Sequence, residues 1–164
     1  MKTLKIFIVL LITTISAKAQ FTKAELQVSG LTCSMCSKAT EKSLRTLEFI
    51  GDIKVDLNRN IFLITFKKDA PVNLDQISKK VQNAGFFVNS LKATFNFDGV
   101  KVSDNTFSYA GDNYRLVNGG DKTLSGPVMI TVVDKGFAPA AVYKKYSSAS
   151  ADKTESGRTY HIAI

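Results

Sequence analysis

The sequence has no tryptophan, one histidine, two cysteines and three prolines. His161, in "RTYHIAI", is the only histidine, and it reads as a satisfied or solvent-facing side chain before a ligand or general base. Alternation of Tyr160, Ile162 and Ile164 against Thr159, His161 and Ala163 reads as a strand. Two cysteines cannot build a disulfide framework. After residue 19 no apolar run approaches the roughly 20 residues that a membrane span takes. No glycine-rich phosphate loop is present either: Gly119-Gly120-Asp121 precedes a strand-like stretch instead of opening a helix. Asp52, Asp56, Asp69 and Asp75 are scattered at element boundaries, where caps and solvated faces account for them. These absences argue against an enzyme.

The chain begins "MKTLKIFIVLLITTISAKAQ". Lys2 and Lys5 precede an apolar stretch from Ile6 to Ile15, and Ala17-Lys18-Ala19 has the small-x-small pattern of a signal-peptidase site. Residues 1–19 are therefore expected to be a signal peptide cleaved after Ala19, leaving a periplasmic or secreted protein without a membrane span. The net charge is +8, and the segment carries three lysines and no acid. The remaining basic excess lies in residues 20–95, with 11 Lys/Arg against 7 Asp/Glu, whereas residues 96–164 hold 8 against 7. So modest an excess reads first as a solvated surface.

Both cysteines fall in "GLTCSMCSKA", residues 30–39. Export would permit a disulfide, but Cys33 and Cys36 close almost no loop, and the stabilisation from a bridge shrinks with loop length. Soft-metal ligation and thiol-disulfide exchange remain. Ala24, Leu26 and Val28 alternate with polar residues as in a half-buried strand, and Gly30 breaks it. Cys36, Thr40, Leu44 and Leu47 then follow helical spacing, so the pair sits in a strand-to-helix loop, the helix beginning near Cys36. "GDIKVDL" and "IFLITFK" flank an Asn58-Arg59-Asn60 turn and predict a hairpin. Leu74, Ile77, Val81 and Ala84 mark a second helix, with Asn73 and Gln76 as a capping pair and Gly85 as its stop, and "FFVNSLKATF" is a closing strand.

Strand, helix, strand, strand, helix, strand is a ferredoxin-like βαββαβ arrangement, an α+β fold with both helices on one face of an antiparallel sheet. Within it, Gly30-Leu31-Thr32-Cys33-Ser34-Met35-Cys36 resembles the GMTCxxC loop of the heavy-metal-associated domain family, a likeness that covers residues 23–95 and includes Gly85-Phe86. Leu31 stands where that family usually has methionine, an apolar exchange at a core position. The resemblance implies that Cys33 and Cys36 are metal ligands and that the chain buffers an ion or hands it to a transporter, ATPase or cuproprotein, with Cys33 the more exposed, invading thiol. Two thiolates at a helix start suit Cu(I) best. Zn(II), Cd(II) and Hg(II) are the alternatives, zinc needing water, a partner or dimerisation to complete four ligands. The expected state is a monomer or a weak metal-bridged dimer. Phe86 is expected beside the loop as shield or core aromatic, and Met35 toward solvent. Lys38, Lys42 and Arg45, with Lys79 and Lys80 on the second helix, form a basic face suited to an acidic partner.

Thioredoxin-like oxidoreductases share the CxxC spacing but usually carry a tryptophan beside it and a special proline facing it; here the prolines are at 71, 127 and 139. Beyond about residue 96, glycines punctuate "YRLVN", "PVMITVVD" and "YHIAI", predicting a separate small all-β module, 96–164, of the OB-barrel kind. Phe107, Tyr109, Tyr114, Phe137, Tyr143 and Tyr160 would supply its core. Near-neutral charge and export argue against nucleic acid as its ligand. The polar stretch 147–157 reads as an exposed loop. If the cysteines were vestigial or oxidised, the first unit would be a scaffold for this module.

Overall fold

The computed structural model describes residues 20–118, 124–147 and 157–164. The expected signal peptide, Gly119-Gly120-Asp121 and most of the polar stretch 147–157 lie outside these residues.

Strand β1 (Gln20–Ser29) turns Ala24, Leu26 and Val28 inward, and Gly30 ends it at φ +91°, a conformation that disfavours any side chain. Helix α1 (Ser34–Leu44) buries Ser37, Thr40 and Leu44, the spacing of one helical face. β2 (Ile50–Asp56) and β3 (Ile61–Phe66) form the expected hairpin. Its turn is held by Asp56 Oδ1, which accepts from the N–H of Asn58 at 3.1 Å and of Arg59 at 3.2 Å. Helix α2 (Leu74–Asn83) starts where Asn73 Oδ1 accepts from the Gln76 N–H at 3.0 Å. It stops at Gly85, φ +89°, beyond which the Phe86 N–H reaches back to the Val81 carbonyl. β4 (Phe87–Asn96) closes the unit. The order β2-β3-β1-β4, antiparallel throughout, is the ferredoxin-like sheet expected from the sequence.

The remainder does not form a barrel among the described residues. β5 (Thr106–Tyr109), β6 (Asp112–Leu116), β7 (Pro127–Val132) and β8 (Thr159–Ala163) extend the same open sheet in the order β4-β7-β8-β6-β5, with β6 and β8 parallel. The reason lies at β4. Its ten residues present a long edge whose N–H and C=O groups need partners. β7 supplies them, pairing Leu91 with Val132, Ala93 with Ile130 and Phe95 with Val128. Ile130 and Val132 are fully buried, as are Leu91, Ala93 and Phe95, so the apolar stripe continues across the joint. A short helix, α3 (Ala140–Ser147), follows Pro139, where the sequence pattern predicts an all-β module; Pro139 has a preset φ, and its carbonyl accepts the N–H groups of Val142 and Tyr143.

An aromatic chain joins the two parts of the core. Ring centroids of Phe21 and Phe95 lie 4.8 Å apart, Phe95 and Phe107 5.0 Å, Phe107 and Tyr114 5.0 Å, and Tyr114 and Tyr160 5.1 Å. Of the aromatics expected in the second core, Phe107, Tyr114, Phe137 and Tyr160 are buried, while Tyr109 and Tyr143 are half-buried.

Candidate metal centre

The cysteine pair sits where β1 ends and α1 begins. Leu31, behind the loop, is buried in the core and anchors it, while Thr32 and Cys33 are exposed. The helix begins earlier than its apolar spacing suggested, at Ser34, which makes Cys33 its N-cap. The Cys33 backbone is extended, and its Sγ accepts a hydrogen bond from the Cys36 N–H at 3.2 Å. Sulfur thus takes the role usually filled by a Ser, Thr, Asp or Asn oxygen, a substitution that cap rules based on oxygen overlook. Further bonds tie the loop to the helix: the Ser37 N–H donates to the Cys33 carbonyl at 3.2 Å, and Thr40 Oγ1 donates to the Cys36 carbonyl at 3.1 Å.

Both thiols are free, and the two sulfurs face each other at 2.6 Å. Their environments differ. Cys33 is held below the ordinary cysteine value because the Cys36 thiol donates to its sulfur, with the N–H groups of Cys36 and Met35 adding to the effect. Cys36 is half-buried against the core and is raised, first because its proton is engaged by Cys33, then by burial and by the neighbouring Cys33 charge. The site therefore offers one accessible, thiolate-prone sulfur and one more protected thiol. Two sulfur donors converging at a helix N-terminus fit a soft ion. Among the described residues no third His, Cys, Asp or Glu joins them.

The neighbouring side chains fall partly as expected. Met35 is 72% exposed, and Phe87, which the sequence did not single out, is 70% exposed. Phe86 packs against the core and also lies over the start of the loop: a Cβ on Gly30 would sit 3.4 Å from its Cδ1. Lys38 and Lys42 are exposed. Arg45 is not available to a partner in the same way. Its guanidinium donates to Glu41 Oε1 at 2.8 Å and to the Ile53 carbonyl at 2.9 Å, and it lies 3.6 Å from Asp52. Asp75 pairs with Arg158 at 3.0 Å. His161 is buried and satisfied: Asp134 accepts from its backbone N–H at 2.9 Å, and the other carboxylate oxygen meets Nδ1 at 2.8 Å. No helix among the described residues is long and apolar enough to cross a membrane.

Residues 25–87, which hold Cys33 and Cys36, match the heavy-metal-associated domain family and form a domain of that kind. A copper-transporting ATPase of Helicobacter felis is 30% identical over 66 residues, which are 40% of this chain but only 9% of that ATPase. Among solved structures, apo-CopP from Helicobacter pylori is 32% identical, the match covering 40% of this chain and 97% of CopP, with a TM-score of 0.35. The yeast copper transporter domain Ccc2a is 27% identical, over 41% of this chain and 90% of its own, with a TM-score of 0.37. Oxidised MerP from Ralstonia metallidurans is 24% identical, over 44% and 96%, with a TM-score of 0.37. β7, α3 and β8 lie wholly outside the matched residues 25–87.

Proposed function

We propose that this protein binds a soft metal ion, Cu(I) foremost, between Cys33 and Cys36, and buffers it or passes it to a partner by thiol exchange after export to the periplasm. The observation that carries this reading is the pairing of an exposed, thiolate-prone Cys33 with a half-buried Cys36 at the start of α1. A carrier needs both properties: sulfur donors soft enough to hold the ion, and a coordination sphere left open to an incoming thiolate. Cys33, at the rim, is the sulfur that a partner thiol meets first, and Cys36 retains its hold until the transfer completes. The stretch shared with a copper-transporting ATPase, 30% identical over 66 residues, supports copper as the first choice, with Zn(II), Cd(II) or Hg(II) as alternatives. Exposed Lys38 and Lys42, on the helix that carries the pair, favour an acidic docking face on a transporter, ATPase or cuproprotein.

The deciding experiment is a Cu(I) competition. The reduced protein is titrated anaerobically against a chromophoric Cu(I) chelator, beside a Cys33→Ser/Cys36→Ser double variant. Capture of one equivalent by the parent and none by the variant is expected; equal, weak capture by both removes the metal reading.

The close sulfurs favour one other function, thiol-disulfide exchange, with Cys33 as nucleophile and Cys36 as resolving thiol. Turnover of a dithiol or disulfide substrate by the metal-free protein, at rates above those of a free thiol, would favour it.

A further inference from the structure

The side chains that alternate with the buried ones along β1, β3 and β4 lie on the sheet face away from the helices. Strand register puts Lys54 beside Leu63, Leu63 beside Glu25, and Glu25 beside Lys92, one row running across β2, β3, β1 and β4. In the adjacent row Thr65, Lys23, Thr94 and Met129 follow one another across β3, β1, β4 and β7. These two rows line a groove of about 360 Å³. A second recess of about 390 Å³ shares Glu25 and Lys92 with it and adds Arg59.

Two features of this surface are unaccounted for by the fold. Leu63 is 42% and Met129 50% exposed, large apolar side chains left open on the face of the sheet away from the helices. Around them stand four cations, Lys23, Lys54, Arg59 and Lys92, against the single carboxylate of Glu25. None of the four makes an ion pair among the described residues. Lys23 and Lys92, diagonal neighbours on β1 and β4, repel one another, and exposed apolar side chains rimmed by charge mark interaction surfaces. A second copy of this chain would bring cations against cations and is disfavoured. A flat bilayer meets protruding side chains more readily than a recess between them. An extended chain fits better, because its side chains alternate and can enter a groove at one position and meet the rim at the next.

We propose that this face docks an acidic, amphipathic segment of a partner protein, its carboxylates held by Lys54 and Lys92 and its apolar side chains seated against Leu63 and Met129. Met129 comes from β7, outside the matched family segment, so the added strands complete a surface that the βαββαβ unit alone lacks. The groove contains no residue of the 30–36 loop, and a docked segment leaves Cys33 and Cys36 free. The inference is independent of what the thiols bind.

The test uses the full chain and a short fluorescent peptide alternating glutamate with leucine, compared with a lysine-leucine peptide and with phosphatidylglycerol vesicles. Binding of the acidic peptide should weaken as salt rises. In the Lys54→Glu/Lys92→Glu variant it should fall by at least about tenfold, since like charges then face each other. Circular dichroism and Cu(I) competition should be unchanged in that variant, which separates this surface from the thiol site. A Lys54→Gln/Lys92→Gln pair should show an intermediate loss. Any of four results overturns the proposal: no binding of the acidic peptide, equal binding by parent and variant, equal binding of the lysine-leucine peptide, or lysine-dependent binding to vesicles only, which would make a lipid surface the occupant.

Discussion

Ser78 Oγ, on the buried face of α2, donates a hydrogen bond of 2.9 Å to the carbonyl of Gly136, in the loop after β7. One helix of the heavy-metal-associated domain thus holds a loop contributed by the added strands. Gln82 supports the contact by donating to the same Ser78 oxygen at 3.1 Å. Ser78→Ala leaves the Gly136 carbonyl without this donor and is expected to cost about 1–2 kcal/mol. Urea denaturation should show the loss as a lower midpoint at unchanged slope, with Cu(I) affinity retained.

The two thiols should react at different pH. Because Cys33 is lowered and Cys36 raised, the alkylation rate of Cys33 should rise at lower pH than that of Cys36. Cys36→Ala removes the thiol that donates to Cys33, so the Cys33 profile should move to higher pH. Iodoacetamide labelling followed by peptide mass spectrometry reads both effects; identical profiles for the two cysteines would contradict the asymmetry.

Transfer and affinity should separate. Neutralising Lys38 and Lys42 together, as Lys38→Gln/Lys42→Gln, should slow Cu(I) transfer to an acidic acceptor by about tenfold at low salt and by less as salt rises. Chelator competition should give the same affinity as the parent, because neither side chain supplies a ligand. Arg45→Gln should act on stability instead, since Arg45 is engaged with Glu41 and Ile53.

Asp134 grips the last strand twice, through the backbone N–H and Nδ1 of His161. Asp134→Ala orphans both groups in a buried setting and should cost about 1–3 kcal/mol, measured as a lower thermal midpoint. Asp134→Asn keeps one acceptor oxygen and should lose less.

Phe95, fully buried, touches the rings of Phe21, Phe97, Phe107 and Tyr109. Phe95→Ala is expected to cost about 3–5 kcal/mol. Since β4 is bonded to β1 on one edge and β7 on the other, fluorescence of the tyrosines and far-UV circular dichroism should lose structure together, in one transition. Two separated transitions would show that the segments on either side of β4 fold independently.

Much of the site is legible in local sequence because short-range geometry sets it. Gly30 must take a positive φ, Asn73 caps the helix that follows it, and Gly85 ends that helix, each within a few residues of its partner. α1 starts two residues before its apolar spacing predicts because the capping atom is sulfur, which cap rules built on Ser, Thr, Asp and Asn do not anticipate. α3 is not legible in the pattern although Ala140 and Ala141 follow Pro139 and Lys144 and Lys145 close it, signals easily lost in an eight-residue helix set among strands. In the helical pattern Arg45 reads as a docking cation, because its acceptors on β2 are not visible there.

By itself, then, the sequence determined the βαββαβ order, the place of Cys33 and Cys36 between strand and helix, and the aromatic content of the second core. Those features follow from periodicity, turn residues and spacing, which act over a few positions. The tertiary structure alone decided that β7 completes the open edge of β4, so that the second half extends a sheet instead of closing a barrel. Strand pairing is a contest among edges distant in sequence, and it is won by the edge that both satisfies the backbone groups and continues the buried face; no local pattern records which edge that is.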